Sequence, residues 1–138
     1  MSSAVHQGGC HCGRVRFRID VPEDAHQAIV CNCSVCTKKG ILHLIVPPDR
    51  FELLQGGDAL STYTFGTHTA KHWFCATCGI HPFYKARSHP EDVDVNLRCL
   101  DDPRDIERFQ LASFDGRHWE ENVHAIQSGV SRTGAPEG

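Results

Sequence analysis

Residues 31–36 read Cys31-Asn32-Cys33-Ser34-Val35-Cys36. Three thiols within six residues ask for a common partner, and the rest of the chain is best read outward from them. Two further clusters flank this one: Cys10-His11-Cys12-Gly13 on one side and Cys75-Ala76-Thr77-Cys78-Gly79 on the other. The remaining cysteine, Cys99 in Leu97-Arg98-Cys99-Leu100, reads as a small core residue.

The spacing suits metal. A Cys-x-x-Cys turn brings two thiolates to one side of a tight loop, and the glycine after it lets the backbone turn with positive φ. A Cys-x-Cys pair in a regular strand would aim its thiols at opposite faces, so both reach one ion only where the strand bends. Gly13 offers that bend. A closed structural zinc takes four ligands. The division that supplies four joins Cys10 and Cys12 with Cys75 and Cys78, stapling an N-terminal strand to a hairpin near residue 75. Cys31, Cys33 and Cys36 are then left with an open fourth position, the pattern of a catalytic metal. Two alternatives stay open at this point. Cys99 or a histidine completes a second closed site, or the trio is a metal-free redox or buried set. His43 follows the trio closely and is a candidate to approach its metal. His72, three positions before Cys75, is a lesser one, and His11 is expected to face outward.

Composition narrows the setting. The chain has 138 residues, which suits one domain with a modest core, and metal cross-links would help to hold it. A net charge of -3 gives no basic footprint for nucleic acid. No apolar run reaches the roughly 20 residues of a membrane helix. The start, MSSAVHQGG, has no charged region followed by an apolar stretch, so a secretory signal is not expected. These readings place the protein in the cytoplasm, where thiols stay reduced and clustered cysteines serve metals more often than disulfides.

The chain reads as mainly β. Arg14 to Ile19 alternates, with Val15, Phe17 and Ile19 on one face. Further strands are expected at 26–30, 42–46, 51–54, 61–65, 70–74, 82–85, 92–97 and 109–114, separated by Gly and Pro turns. A short helix is expected over His118 to Ile126. Residues 1–8 read as a flexible lead-in, 9–127 as a single zinc domain, and 128–138 as a disordered tail.

The three cysteine clusters, together with His43-Leu44-Ile45-Val46-Pro47 and Thr62-Tyr63-Thr64-Phe65, carry a likeness. From about Gly9 to Asp102 the chain resembles the glutathione-dependent formaldehyde-activating enzymes, and in the last two stretches the branch containing centromere protein V. The resemblance implies an Mss4-like fold of coiled antiparallel sheets around zinc. It implies two zinc ions per chain: a structural one on Cys10, Cys12, Cys75 and Cys78, and a catalytic one on Cys31, Cys33 and Cys36. The implied activity is that of a carbon–sulfur lyase, joining glutathione to formaldehyde as S-hydroxymethylglutathione, and the reverse.

A mechanism follows from the residues. A small-molecule thiol, glutathione or another, takes the open position beside the trio as thiolate and adds to a small aldehyde. Glutathione carries two carboxylates, and Lys38 and Lys39 are the candidate cations for them. Asn32 and Ser34 are expected to hydrogen-bond the cluster sulfurs, and Thr37 to cap a short helix there. The competing class is a non-enzymatic zinc-binding interaction module, its aromatic surface drawn from Trp73, Phe74, Phe83 and Tyr84, at least half of which strand alternation assigns to the core. The oligomeric state is left open.

Overall fold

The structure is a computed structural model and describes residues 3–22, 27–118 and 120–121. Among the described residues, ten short strands form three sheets. The first sheet has the order β1-β2-β5, where β1 is Ser3–Gly9, β2 is Arg16–Pro22 and β5 is Phe51–Gln55. The alternation read in the sequence is present in β2. Phe17, Ile19 and Val21 point into the core at 0%, 0% and 1% exposure, while Arg18 faces solvent and pairs with Glu52 at 2.7 Å. Residues 3–8, read as a flexible lead-in, are instead the edge strand of this sheet. They pair with β2 along the whole of its length, from Ser3 opposite Pro22 to Gly9 opposite Arg16. The pairing satisfies backbone groups that a short, glycine-ended segment gives no side-chain signal for.

The second sheet carries the site. Its strands are β3 (Gln27–Cys31), β4 (His43–Val46), β8 (Phe83–Tyr84), β9 (Val93–Asn96) and β10 (Gln110–Phe114), in the order β10-β3-β4-β9-β8. All neighbours are antiparallel except β10, which runs parallel to β3. Because side chains alternate along a strand, register sorts this sheet into two faces. Leu44, Val46, Val93, Val95 and Phe83 turn to the main core. His43, Ile45, Asp94 and Tyr84 turn the other way and line a cavity. Every residue of β4 and β9 is buried, so both faces of these central strands are covered.

A two-stranded sheet of β6 (Leu60–Tyr63) and β7 (His72–Cys75) completes the set. The core is built round Phe17, which stacks on Phe51 at 5.9 Å and meets the edge of Phe83 at 5.9 Å. Burying one such ring contributes ~2–3 kcal/mol. Trp73 also packs on Phe83, at 5.9 Å. Phe83 and Tyr84 are buried and Trp73 and Phe74 half-buried, so half of these four aromatics are core and two keep a partly exposed face.

Two short helices are present among the described residues: α1 (Ser34–Lys39) and α2 (Pro103–Ile106). Asp102 caps α2 by accepting the backbone N–H of Arg104. No helix among the described residues is long and apolar enough to cross a membrane. A one-turn 3-10 helix covers Gly116–His118. Most of the helix expected over 118–126, and the whole of the tail expected over 128–138, lie outside the described residues.

Candidate functional site

The four outer cysteines meet at the junction of the first and third sheets. Cys10 follows the end of β1, Cys12 sits in the turn to β2, Cys75 ends β7 and Cys78 lies in the turn after it. Each turn closes through glycine. Gly13 donates to the Cys10 carbonyl at 3.2 Å and Gly79 to that of Cys75 at 2.8 Å, with φ of 84° and 81°. Such angles cost a side-chain-bearing residue a strained backbone. All four sulfurs lie within 4.8 Å of one another. Cys10 Sγ is 3.6 Å from Cys12 Sγ, and Cys12 Sγ is 3.7 Å from Cys75 Sγ. Thiolates each at 2.3 Å from a tetrahedral ion would be about 3.8 Å apart. The donor set and its spacing therefore fit one closed four-thiolate metal. The backbone N–H of Val15 also donates to Cys10 Sγ at 3.3 Å, a contact that holds a ligand sulfur in orientation.

The trio is built differently. Cys31 ends β3, Cys33 caps α1, and Cys36 lies inside that helix. The cap is a sulfur: Cys33 Sγ accepts the backbone N–H of Cys36 at 3.4 Å, and Cys31 Sγ accepts that of Cys33 at 3.5 Å. Thr37 is within the helix and donates its backbone N–H to the Cys33 carbonyl at 2.9 Å, so the cap expected at Thr37 sits four residues earlier. The three sulfurs also lie within 4.8 Å of one another. Their mutual contact splits their acidity. Cys33 accepts hydrogen bonds from the Cys31 and Cys36 thiols and from the N–H groups of Cys36 and Val35, and falls to about 2. Cys31 rises to about 11, first because its proton is shared with Cys33. Cys36 rises as well, held by Cys31 and Cys33 and by burial. Three sulfurs in contact cannot all be negative without a cation among them, so this donor set also fits a metal.

The trio lines a cavity of about 200 Å³, and there the fourth side is open. Ile29, Ile45, Phe65 and Phe114 give it mostly apolar walls. Polar side chains share the lining, among them Thr67, Arg87 and Ser88. His43 Nδ1 lies 2.9 Å and 3.0 Å from the two oxygens of Asp94, and Tyr84 Oη is 3.3 Å from the same nitrogen. The diagonal meeting of His43 and Asp94 follows from register, since His43 pairs with Asn96 and Asp94 lies two residues before it. His72 also lines the cavity, stacked between Phe65 at 5.4 Å and Tyr84 at 4.9 Å. Burial holds His72 below the ordinary histidine value.

A family model for the glutathione-dependent formaldehyde-activating enzyme matches residues 5–113, a span that includes all seven clustered cysteines. The chain belongs to this family. A crystal structure of a Rhodobacter sphaeroides protein is similar to it, at 36% identity and a TM-score of 0.66, over 77% of this chain and 99% of that one. A formaldehyde-activating-enzyme domain with two cysteine clusters able to hold metal ions is thus established from both sequence and geometry.

Other expected residues are placed elsewhere. Lys38 is exposed. Lys39 is half-buried with Nζ 3.0 Å from His81 Nδ1, and neither lysine lines the cavity. Burial, followed by the charge of Lys39, pushes His81 down to about 3. Asn32 does not serve the sulfurs. Its side-chain oxygen accepts the backbone N–H of Arg117 at 3.0 Å, tying the trio's loop to the 3-10 turn after β10. Ser34 is exposed at the start of α1. Cys99 lies outside both clusters, its thiol pushed up to about 12 by burial, as a core cysteine would be.

Two features of the site were not read from the sequence. Asp94 and Tyr84 are the first; the signal was the pair Asp94 and Asn96 on one face of an otherwise apolar strand. Gly116 is the second. A Cβ built there would meet Cys31 Sγ at 2.5 Å and Cys33 Cβ at 2.8 Å, so only glycine lets this turn close over the trio.

Proposed function

We propose that the protein adds a small-molecule thiol, glutathione in the family's named reaction, to formaldehyde or another small aldehyde, and runs the reverse cleavage of the carbon–sulfur bond. In this reading Cys10, Cys12, Cys75 and Cys78 hold a structural zinc, and Cys31, Cys33 and Cys36 hold a catalytic one. The observation that carries it is the unequal pair of clusters: four thiols enclosing one point, and three thiols facing a cavity. Zinc bound to the trio would hold an added thiol as thiolate, and with three thiolates already donating it suits sulfur better than water activation.

The chain's own residues supply the rest. The apolar walls exclude water from an aldehyde that would otherwise hydrate. Arg87 lines the cavity with its guanidinium paired to Glu120, so a thiol carboxylate reaching it would share or exchange that pair. Room for a small carbonyl and the sulfur end of a thiol is consistent with a cavity of about 200 Å³, the remainder of glutathione extending outward.

The test is catalysed exchange between glutathione, formaldehyde and S-hydroxymethylglutathione, followed by NMR against the uncatalysed reaction. The expected result is acceleration by the wild type and none by Cys33→Ser, with that variant still folded. Exchange at the uncatalysed rate in the presence of wild-type protein would overturn the reading.

A further inference from the structure

We propose that His43, oriented by Asp94 and assisted by Tyr84, is the proton-transfer residue of the cavity, taking the proton from the incoming thiol and delivering it to the aldehyde oxygen. The inference rests on the thiol-addition reading above and assigns it an acid–base group.

The geometry fixes which nitrogen is free. An ionised carboxylate only accepts, so His43 Nδ1, within 3.0 Å of both Asp94 oxygens, carries the hydrogen and donates it. The other nitrogen, Nε2, is then left with its lone pair. It is buried and has no hydrogen-bond partner among the described residues. A buried polar atom left unpaired is costly, and one in a cavity wall beside reactive thiols is placed to meet a ligand. His43 is 3% exposed and lines the same cavity as the three cysteines. A hydrogen on a bound thiol, or a developing alkoxide, would complete the missing bond. Tyr84 stays a neutral phenol because burial raises it well above its ordinary value, and it supports the dyad by hydrogen-bonding Asp94.

His72 has a buried orphan nitrogen as well, Nδ1, and faces the same cavity. It stacks between two rings, and among the described residues its Nδ1 makes no hydrogen bond to a carboxylate that would fix its tautomer. The two histidines therefore divide: His43 is the group able to gain and lose a proton, and His72 is part of the wall. His43 is also not one of the clustered metal donors, since among the described residues of this cluster the three sulfurs alone approach within 4.8 Å of one another.

The step balances. The thiol gives its proton to His43 Nε2, and its sulfur forms the bond to the carbonyl carbon. The C=O π pair moves to oxygen, and that oxygen takes the proton back from Nε2. In reverse, the hydroxyl proton passes to Nε2, the carbon–sulfur bond breaks with its pair on sulfur, and the carbonyl re-forms. His43 ends each cycle as it began, and no oxidant or co-reactant is needed.

The experiment compares His43→Gln and Asp94→Asn with wild type in the exchange assay, with zinc content and the imidazole NMR signals measured on the same samples. General acid–base groups contribute about 100-fold or more, so His43→Gln is expected to fall by about that factor with zinc content unchanged. Asp94→Asn keeps the shape but reverses the hydrogen bond, since its amide can donate to Nδ1. It is expected to lose about 10-fold or more in rate, and the downfield Nδ1 proton signal of His43 with it. The groups facing His43 that shape its titration are Asp94, Tyr84, His72, His81 and Cys33. Should His43→Gln misfold, the folded Asp94→Asn protein decides alone. Activity within twofold of wild type in a folded variant overturns the role of His43. Loss of one zinc in His43→Gln overturns it too, by making His43 a ligand. If the wild type itself shows no exchange, the thiol-addition reading fails and takes this role with it; full wild-type exchange with an active variant leaves the reading standing and removes His43 alone.

Discussion

The two cysteine clusters use the same ligand atom at the same spacing and sit in opposite surroundings. Cys10, Cys12, Cys75 and Cys78 close on one another where two sheets meet, with two glycine turns and the Val15 N–H holding the sulfurs. Cys31, Cys33 and Cys36 are held by β3 and by the first turn of α1, and their free side is a cavity with a His–Asp pair in its wall. The difference teaches that ligand number and what lies beyond the ligands separate a metal that holds shape from one that meets a substrate. Thiol chemistry alone does not.

That contrast breaks most visibly when a ligand is removed from each cluster. Binding to a structural four-thiolate site is folding free energy, of order 10 kcal/mol at neutral pH. Cys75→Ser is therefore expected to yield a chain without a cooperative thermal transition, as judged by circular dichroism. Cys33→Ser is expected to melt cooperatively, because serine also caps helices and the core beneath β4 and β9 is untouched. Equal damage from both substitutions would erase the proposed division of labour.

A milder change sharpens the same comparison at the trio. Gly116→Val places side-chain atoms against Cys31 Sγ and Cys33 Cβ, which a built Cβ already approaches to 2.5 Å and 2.8 Å. Overpacking of this kind costs about 3 kcal/mol. It is expected to lower the midpoint of denaturant unfolding and to reduce zinc retention at the trio, while the four outer cysteines keep theirs. Zinc analysis after mild chelation checks this.

The smallest expected effect concerns pH. His81 titrates near 3 when folded, because burial and then Lys39 oppose its cation, against about 6.5 when unfolded. A depressed folded value means stability is fully present above pH 6.5 and is lost as pH falls toward 3, since only the unfolded chain takes up the proton. Between pH 6.5 and pH 5 the loss from this one group is ~2 kcal/mol. His81→Asn is expected to flatten that part of the stability profile, measured by chemical denaturation at each pH. A wild-type slope in the variant would show that His81 is not its source.

Local features were legible in the sequence and long-range ones were not. The cysteine clusters could be divided because four-coordination counts ligands, and Gly13 and Gly79 mark the turns. The face of β2 was legible because one side of it is wet. Residues 3–8 were read as a lead-in because short sequence near a terminus says nothing of a partner strand, and only pairing with β2 reveals β1. The parallel contact of β10 with β3 joins Gln110 to Gln27 and the residues that follow each, far apart in sequence, and no local pattern encodes it. His43 and Asp94 are 51 positions apart; alternation in β9 marks the face of Asp94, but only the pairing of β4 with β9 brings His43 to it. Lys38 and Lys39 show how little adjacency fixes direction. Adjacency to the trio suggested substrate contact, but the helix turns Lys38 to solvent and Lys39 toward His81.

The most direct test of the account is zinc release from protein isolated without chelators, timed against alkylation of each cysteine by mass spectrometry. The account predicts about two zinc ions per chain. It predicts that the first is released as Cys31, Cys33 and Cys36 react, while Cys10, Cys12, Cys75 and Cys78 stay protected until the fold is lost. A single zinc, or seven cysteines reacting together, would contradict it.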